Sequence, residues 1–310
     1  MSWRLNKPKI LQSKWVLWFQ SFINPVESEI KITTFKGFVQ ELIVRMKKVD
    51  VSGKGAQLAY FFLLSFFPLL LVVVSLLPFF NINQEHVFRF LQTIVPTEVF
   101  LLTQGTVVEV LTTYDGGGAL SLGIVGTIWA ASRGMNAILK TINEAYETEP
   151  KMGIINRGWS LVFTVSLILI LLLALAVPIF GQKFVYQLFE FLGVGASFYV
   201  FWNYVQWTLP PLLIFGVLFF LYWVIPYTEP KVPLFTVLPG TFFASVSWVV
   251  LIYGFSFYIK NFGNFTSTYG SIASVIILML WLYFTGMILI FGGLLNATMY
   301  KRYLAKKMKK

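Results

Sequence analysis

Six stretches of this chain, 58–80, 120–138, 159–180, 207–225, 234–258 and 271–295, are long and apolar enough to cross a bilayer. A helix rising about 1.5 Å per residue needs about 20 residues to pass through roughly 30 Å of hydrocarbon. Backbone polar groups find no water there and must bond within their own segment, so the stretches are expected to be helices. The alternation of apolar and polar residues that marks a membrane barrel is absent. The expected fold class is therefore all-α, a polytopic integral membrane protein with a six-helix transmembrane bundle. A hydrophobic share of 57% is above that of a soluble domain.

Charge sets the direction of the spans. The 24 Lys and Arg are distributed unevenly: 10 precede residue 57, 6 follow residue 300, and Arg133, Lys140, Lys151, Arg157 and Lys231 lie between. Those 21 fall on one side of the six-span map, and only Arg89, Lys183 and Lys260 fall on the other. Lys/Arg-rich segments stay cytoplasmic, which puts both termini inside. A net charge of +11 also raises nucleic acid as a partner. Here the charges flank spans, where they hold topology and meet anionic lipid, so membrane lipids are the expected partner and nucleic acid is not. The chain has no cysteine, which removes disulfides, thiolate chemistry and Cys-ligated zinc. The apolar cluster near residues 15–22 is too short for a signal peptide and has no cleavage site, so span 1 is expected to act as the targeting signal.

Three regions follow. Residues 1–56 form a basic cytoplasmic arm in which Phe35, Phe38, Val39, Leu42, Met46 and Val49 recur at helical spacing, with Lys36, Gln40, Glu41, Lys47 and Lys48 on other faces. This predicts an amphipathic helix, either lying on the inner surface or packed under the bundle. Residues 57–300 hold the six spans and a long outer helical segment, 81–119, divided by Pro96 and closed by a flexible return at Asp115–Gly118. Residues 301–310 form a basic cytoplasmic tail.

Span 2 is unusual. Ala119, Gly123, Thr127 and Ala131, with Gly126, Ala130 and Gly134 beside them, make ladders of small residues that admit another helix closely, which places this span centrally. Its inner half is polar on one side, through Ser132, Arg133, Asn136, Lys140, Asn143, Glu144 and Glu147, and Arg133, Asn136, Lys140 and Asn143 are the candidate face for an anionic ligand. Arg133 stands inside a span away from its ends, where a charge is costly by about 2.5–3.5 kcal/mol and turns to a cavity, a partner or the interface. Two readings stay open: snorkelling to the inner interface, or an anionic ligand such as a lipid head group. Pro68 in span 1 and Pro210-Pro211 in span 4 are expected to break their helices. Gly292 and Asn296 in span 6 are expected to pack on a neighbouring helix.

Three passages carry a resemblance: Ala59-Tyr60-Phe61-Phe62-Leu63-Leu64-Ser65-Phe66-Phe67-Pro68, then Ser132-Arg133-Gly134 through Asn143-Glu144-Ala145-Tyr146, then Tyr269-Gly270-Ser271 through Trp281-Leu282-Tyr283 to Asn296-Ala297. In order and spacing they resemble the YihY/BrkB family of bacterial inner-membrane proteins, over roughly residues 35–300. The resemblance implies a six-helix plasma-membrane protein. Members were long labelled ribonuclease BN, a label regarded as a misassignment, and the residues here speak against it too. Hydrolysing RNA takes a general acid and base, or metal ions on carboxylates and histidines. The one histidine, His86, falls on the outer side, and the inner acids Glu144, Glu147 and Glu149 lack metal-ligand spacing. No nucleotide loop or hydrolase motif is present, so no metal, no cofactor and no enzymatic activity are expected. The function expected is to move or position an amphiphilic, anionic, lipid-like molecule. Two alternatives are an envelope scaffold that binds other proteins through its outer segment and a solute exporter. Oligomeric state is left open.

Overall fold

A computed structural model describes residues 30–76, 117–148, 153–191, 193, 195–262 and 272–308, with a few single positions besides. Every regular element among them is helical. In chain order these are α1 (Phe35–Val49), α2 (Val51–Leu76), α3 (Gly117–Ala145), α4 (Gly153–Phe191), α5 (Gly195–Val224), α6 (Leu234–Phe262) and α7 (Ala273–Lys307). Most of the outer segment 81–119, including His86 and Pro96, and the interfacial cluster near residues 15–22 lie outside the described residues.

The first two helices are separated by one residue. Thr34 caps α1 by accepting the Gly37 N–H at 3.0 Å, and Lys47 and Lys48 sit in its last turn, where cations favour the helix dipole. Asp50 then takes a left-handed conformation, φ +53°, that stops α1. Its carboxylate accepts the Gly53 N–H at 3.1 Å and so caps α2. A single aspartate thus closes one helix and opens the next.

α2 to α7 pack in a closed ring, each on its chain neighbour (α2 with α3 through α6 with α7) and α7 back on α2. α3 also touches α1 and α7, which makes it central, with Ala130 and Gly134 buried among its neighbours. A Cβ on Gly134 would stand 3.3 Å from Phe61 Cβ, so the small residue lets α2 and α3 close together. The α6–α7 seam is tighter. A methyl group on Gly240 would run into the Gly292 carbonyl, and one on Gly292 would stand 2.5 Å from the Tyr222 hydroxyl. Asn296, with no exposed surface, accepts the Gly240 N–H at 2.7 Å beside Pro239, itself inside α6.

Two helical stretches among the described residues are long and apolar enough to cross a membrane, Leu234–Asn261 and Val275–Lys307. On α6, Phe242, Val246, Val250, Tyr253 and Phe257 recur at helical spacing and are 45–72% exposed. A continuous aromatic and aliphatic stripe on an outer face suits lipid, not water.

Several expected boundaries move. α4 has 39 residues and α5 has 30, against spans of 159–180 and 207–225, and a turn at Gly193, φ +72°, joins them. Aromatic residues hold the extensions together: Phe198 meets Tyr186 at 5.3 Å and stacks near Trp202 at 5.9 Å. Lys183 therefore stands within α4 and not in a loop. Gly117 and Gly118, expected in a flexible return, already belong to α3, and the tail through Lys307 belongs to α7. The helices run unbroken through Pro68, Pro210 and Pro211.

Candidate functional site

The polar side of α3 divides in two. Val125, Trp129, Arg133 and Lys140 all face outward, with Val125 66% and Trp129 50% exposed. Steps of four, four and seven residues keep them on one stripe of the helix. The opposite side, with Met135, Ile138, Leu139 and Ile142, is buried in the core. The Arg133 guanidinium lies over the Trp129 ring, 5.2 Å from its centroid, and among the described residues neither Arg133 nor Lys140 forms an ion pair. Asn136 is half-buried at the edge of the stripe.

Asn143 is in phase with these residues but is placed differently. It is fully buried, because the chain leaving α5 closes over the end of α3. Its Nδ2 donates to the carbonyls of Leu139 (2.8 Å) and Ile225 (3.3 Å), and its Oδ1 accepts from the Tyr227 N–H (2.9 Å) and the Thr148 hydroxyl (3.0 Å). Four bonds use its full capacity and leave nothing for a ligand. Of the packing candidates, Gly126 is half-buried on α3, Gly123 and Pro68 lie in α3 and α2 with surroundings outside the described residues, and Gly134, Gly292 and Asn296 sit at the helix contacts given above.

A second charged group escaped the sequence reading. Glu41 and Arg45, one turn apart on α1, are 5% and 4% exposed. Arg45 Nε donates to Glu41 Oε1 at 2.8 Å, its Nη1 donates to the Ala145 carbonyl at the end of α3, and its Nη2 stands 3.5 Å from Glu147. Lys301 of α7 donates to the same Glu41 oxygen at 2.7 Å, and Arg302 donates to the Thr33 carbonyl at 2.9 Å. Lys48 adds to Glu147 at 3.7 Å, and Glu144 pairs with Lys54 of α2 at 3.3 Å. Burial alone would raise the Glu41 carboxyl, but the Lys301 hydrogen bond and the charges of Arg45 and Lys301 outweigh it and hold it below its ordinary value. The amphipathic helix thus packs against α3 and α7 with a charged pair turned inward. The sequence does contain a cue, Glu41, Arg45 and Val49 at four-residue steps with the acid leading.

The family model described as "Virulence factor BrkB" matches residues 42–310, most of the chain, including Arg45, Arg133 and Lys301. The chain belongs to the BrkB family. It is 35% identical over 266 residues to the ribonuclease-like protein YfkH of Bacillus subtilis (strain 168), which covers 86% of this chain and 96% of that protein. It is 27% identical over 265 residues to a UPF0761 membrane protein of Actinobacillus pleuropneumoniae serotype 5b (strain L20), covering 84% and 93%. No solved structure matches the chain. BrkB relatives carrying the name membrane protein agree with the lipid-suited stripe of α6 and with its two long apolar helices.

Proposed function

We propose that this BrkB-family protein is a non-catalytic, multi-pass protein of the bacterial plasma membrane that binds an amphiphilic, anionic, lipid-like molecule and positions or transports it. In this reading six helices cross the membrane and both termini are cytoplasmic, as the uneven Lys/Arg distribution favours.

One observation carries the ligand: Arg133 is exposed on α3 and has no carboxylate partner among the described residues. With the termini inside, α3 runs from the outer to the inner side, and an arginine snorkelling to the nearer, inner interface would reach forward toward Lys140. Its guanidinium instead lies back over Trp129, one turn toward the outer end. Helical side chains lean toward the N-terminus, so this direction is the natural one. Trp129 is the centre of the 120–138 span, which brings the charge toward mid-depth, where leaving it unmatched costs a few kcal/mol. An anionic group supplied from outside the chain offsets that cost.

The inner acids support the non-enzymatic part. Glu144 and Glu147, which a hydrolase would need free, are engaged by Lys54, Arg45 and Lys48. The test is lipid preference. Purified wild-type protein should retain phosphatidylglycerol over phosphatidylcholine in native mass spectrometry, and Arg133→Ala should lose that preference. Unchanged preference in Arg133→Ala would remove the ligand site.

A further inference from the structure

The geometry points to Trp129 as the positioning residue of this site: its ring holds the Arg133 guanidinium so that the free N–H edges meet a phosphate head group. The inference rests on the ligand reading above and adds what sets the head group's location.

Arg133 and Trp129 are four residues apart on α3, so their side chains meet on one stripe. A guanidinium 5.2 Å from the indole centroid is within reach of the ring quadrupole, and the attraction is strongest where water is excluded. A ring contact brings no counter-charge, so the guanidinium N–H edges gain no anionic partner from Trp129. Among the described residues no carboxylate engages those edges. Planar, paired donors of this kind match two oxygens of one phosphate. The buried Ser132 hydroxyl beside Arg133 is satisfied within the helix, donating to the Trp129 carbonyl at 2.8 Å. Exposed Val125 continues the stripe one turn further and offers apolar surface to an acyl chain. Lys140, about 10 Å nearer the inner end by helical rise, is a second cation on the same line. The chemistry recognised is a phosphate in a head group whose tails stay in the bilayer.

The experiment is a double-mutant cycle on the full-length protein, using phosphatidylglycerol and phosphatidylcholine as probes and free glycerol phosphate as competitor. Trp129→Leu, which keeps apolar volume but removes the ring, should lower the preference for phosphatidylglycerol about tenfold, the range of a desolvated cation–π contact. Trp129→Phe should retain most of it. In the Arg133→Ala background Trp129→Leu should have no added effect, since the two act as a unit. Competition by glycerol phosphate at the concentrations used for lipid would identify the free phosphate, and not the lipid, as the occupant and overturn the head-group assignment. Wild-type preference in Trp129→Leu, or an equal loss from it with and without Arg133, would overturn the positioning role. In those outcomes Arg133→Ala alone still reports on the ligand reading, so the two failures are distinguishable.

Discussion

Arg45 and Arg133 carry the same side chain on neighbouring helices and are treated in opposite ways. Arg45 is 4% exposed and meets two carboxylates and a helix-terminal carbonyl. Arg133 is exposed and meets an indole ring. A charge taken out of water is retained when other groups replace its hydration, and Arg45 has those groups within the chain. Among the described residues Arg133 has no such group, and in the proposed reading the ligand supplies it. The first arginine reads as part of the frame and the second as part of the site.

The sharpest way to break this contrast is at Arg45. Arg45→Ala leaves Glu41 buried with Lys301 alone and strips the Ala145 carbonyl of its donor. Removing one member of a buried pair costs about 3–5 kcal/mol, so a large drop in the thermal midpoint in detergent is expected. Arg45→Met restores volume without charge and should recover only the packing part. A midpoint for Arg45→Ala equal to that of the wild type would show that the network does not hold the frame.

Glu41 tests the same network through pH. Its folded value lies below its ordinary 4.5, so its contribution is complete above the unfolded value and is lost as pH falls through the folded one. The thermal midpoint should hold steady from neutral pH down to about the ordinary carboxyl value and decline below it. Glu41→Gln should start lower and decline less steeply. A wild-type midpoint with no acid-side decline, or the same decline in Glu41→Gln, would assign acid sensitivity to other groups.

The contrast also explains what could be read without coordinates. Length and apolarity located the helices, because an apolar run of about 20 residues has to satisfy its backbone hydrogen bonds within itself. Ends were harder: aromatic contacts around Phe198 carry α4 and α5 well past the hydrocarbon length, and no periodicity announces where such packing stops. Spacing put Arg133 and Lys140 on one stripe, and they remain together. It also put Asn143 with them, and there it misled, since phase on one helix does not reveal that the segment around Ile225 closes over its end. Glu41 looked like part of a solvated face for a related reason. Its partner Lys301 is 260 residues away, and pairing at that distance leaves no local pattern.

The smallest effect should be the most telling. Arg133→Lys keeps the charge and can still rest on Trp129, but an ammonium cannot grip phosphate through two parallel bonds. Stability should stay within about 0.5 kcal/mol of the wild type, as for surface substitutions away from structural contacts. Arg133→Ala should cost no stability, and removing an unmatched charge from the proposed span should raise the midpoint. Preference for phosphatidylglycerol should fall partway in Arg133→Lys, between the wild type and Arg133→Ala, and Lys140→Ala should lower it less. The two readouts together decide the case. Full preference in Arg133→Lys would mean that charge alone suffices and that the planar fork has no role. A stability loss in Arg133→Ala comparable to that of Arg45→Ala would mean that Arg133, too, is held by the chain itself, and the distinction between frame and site would disappear.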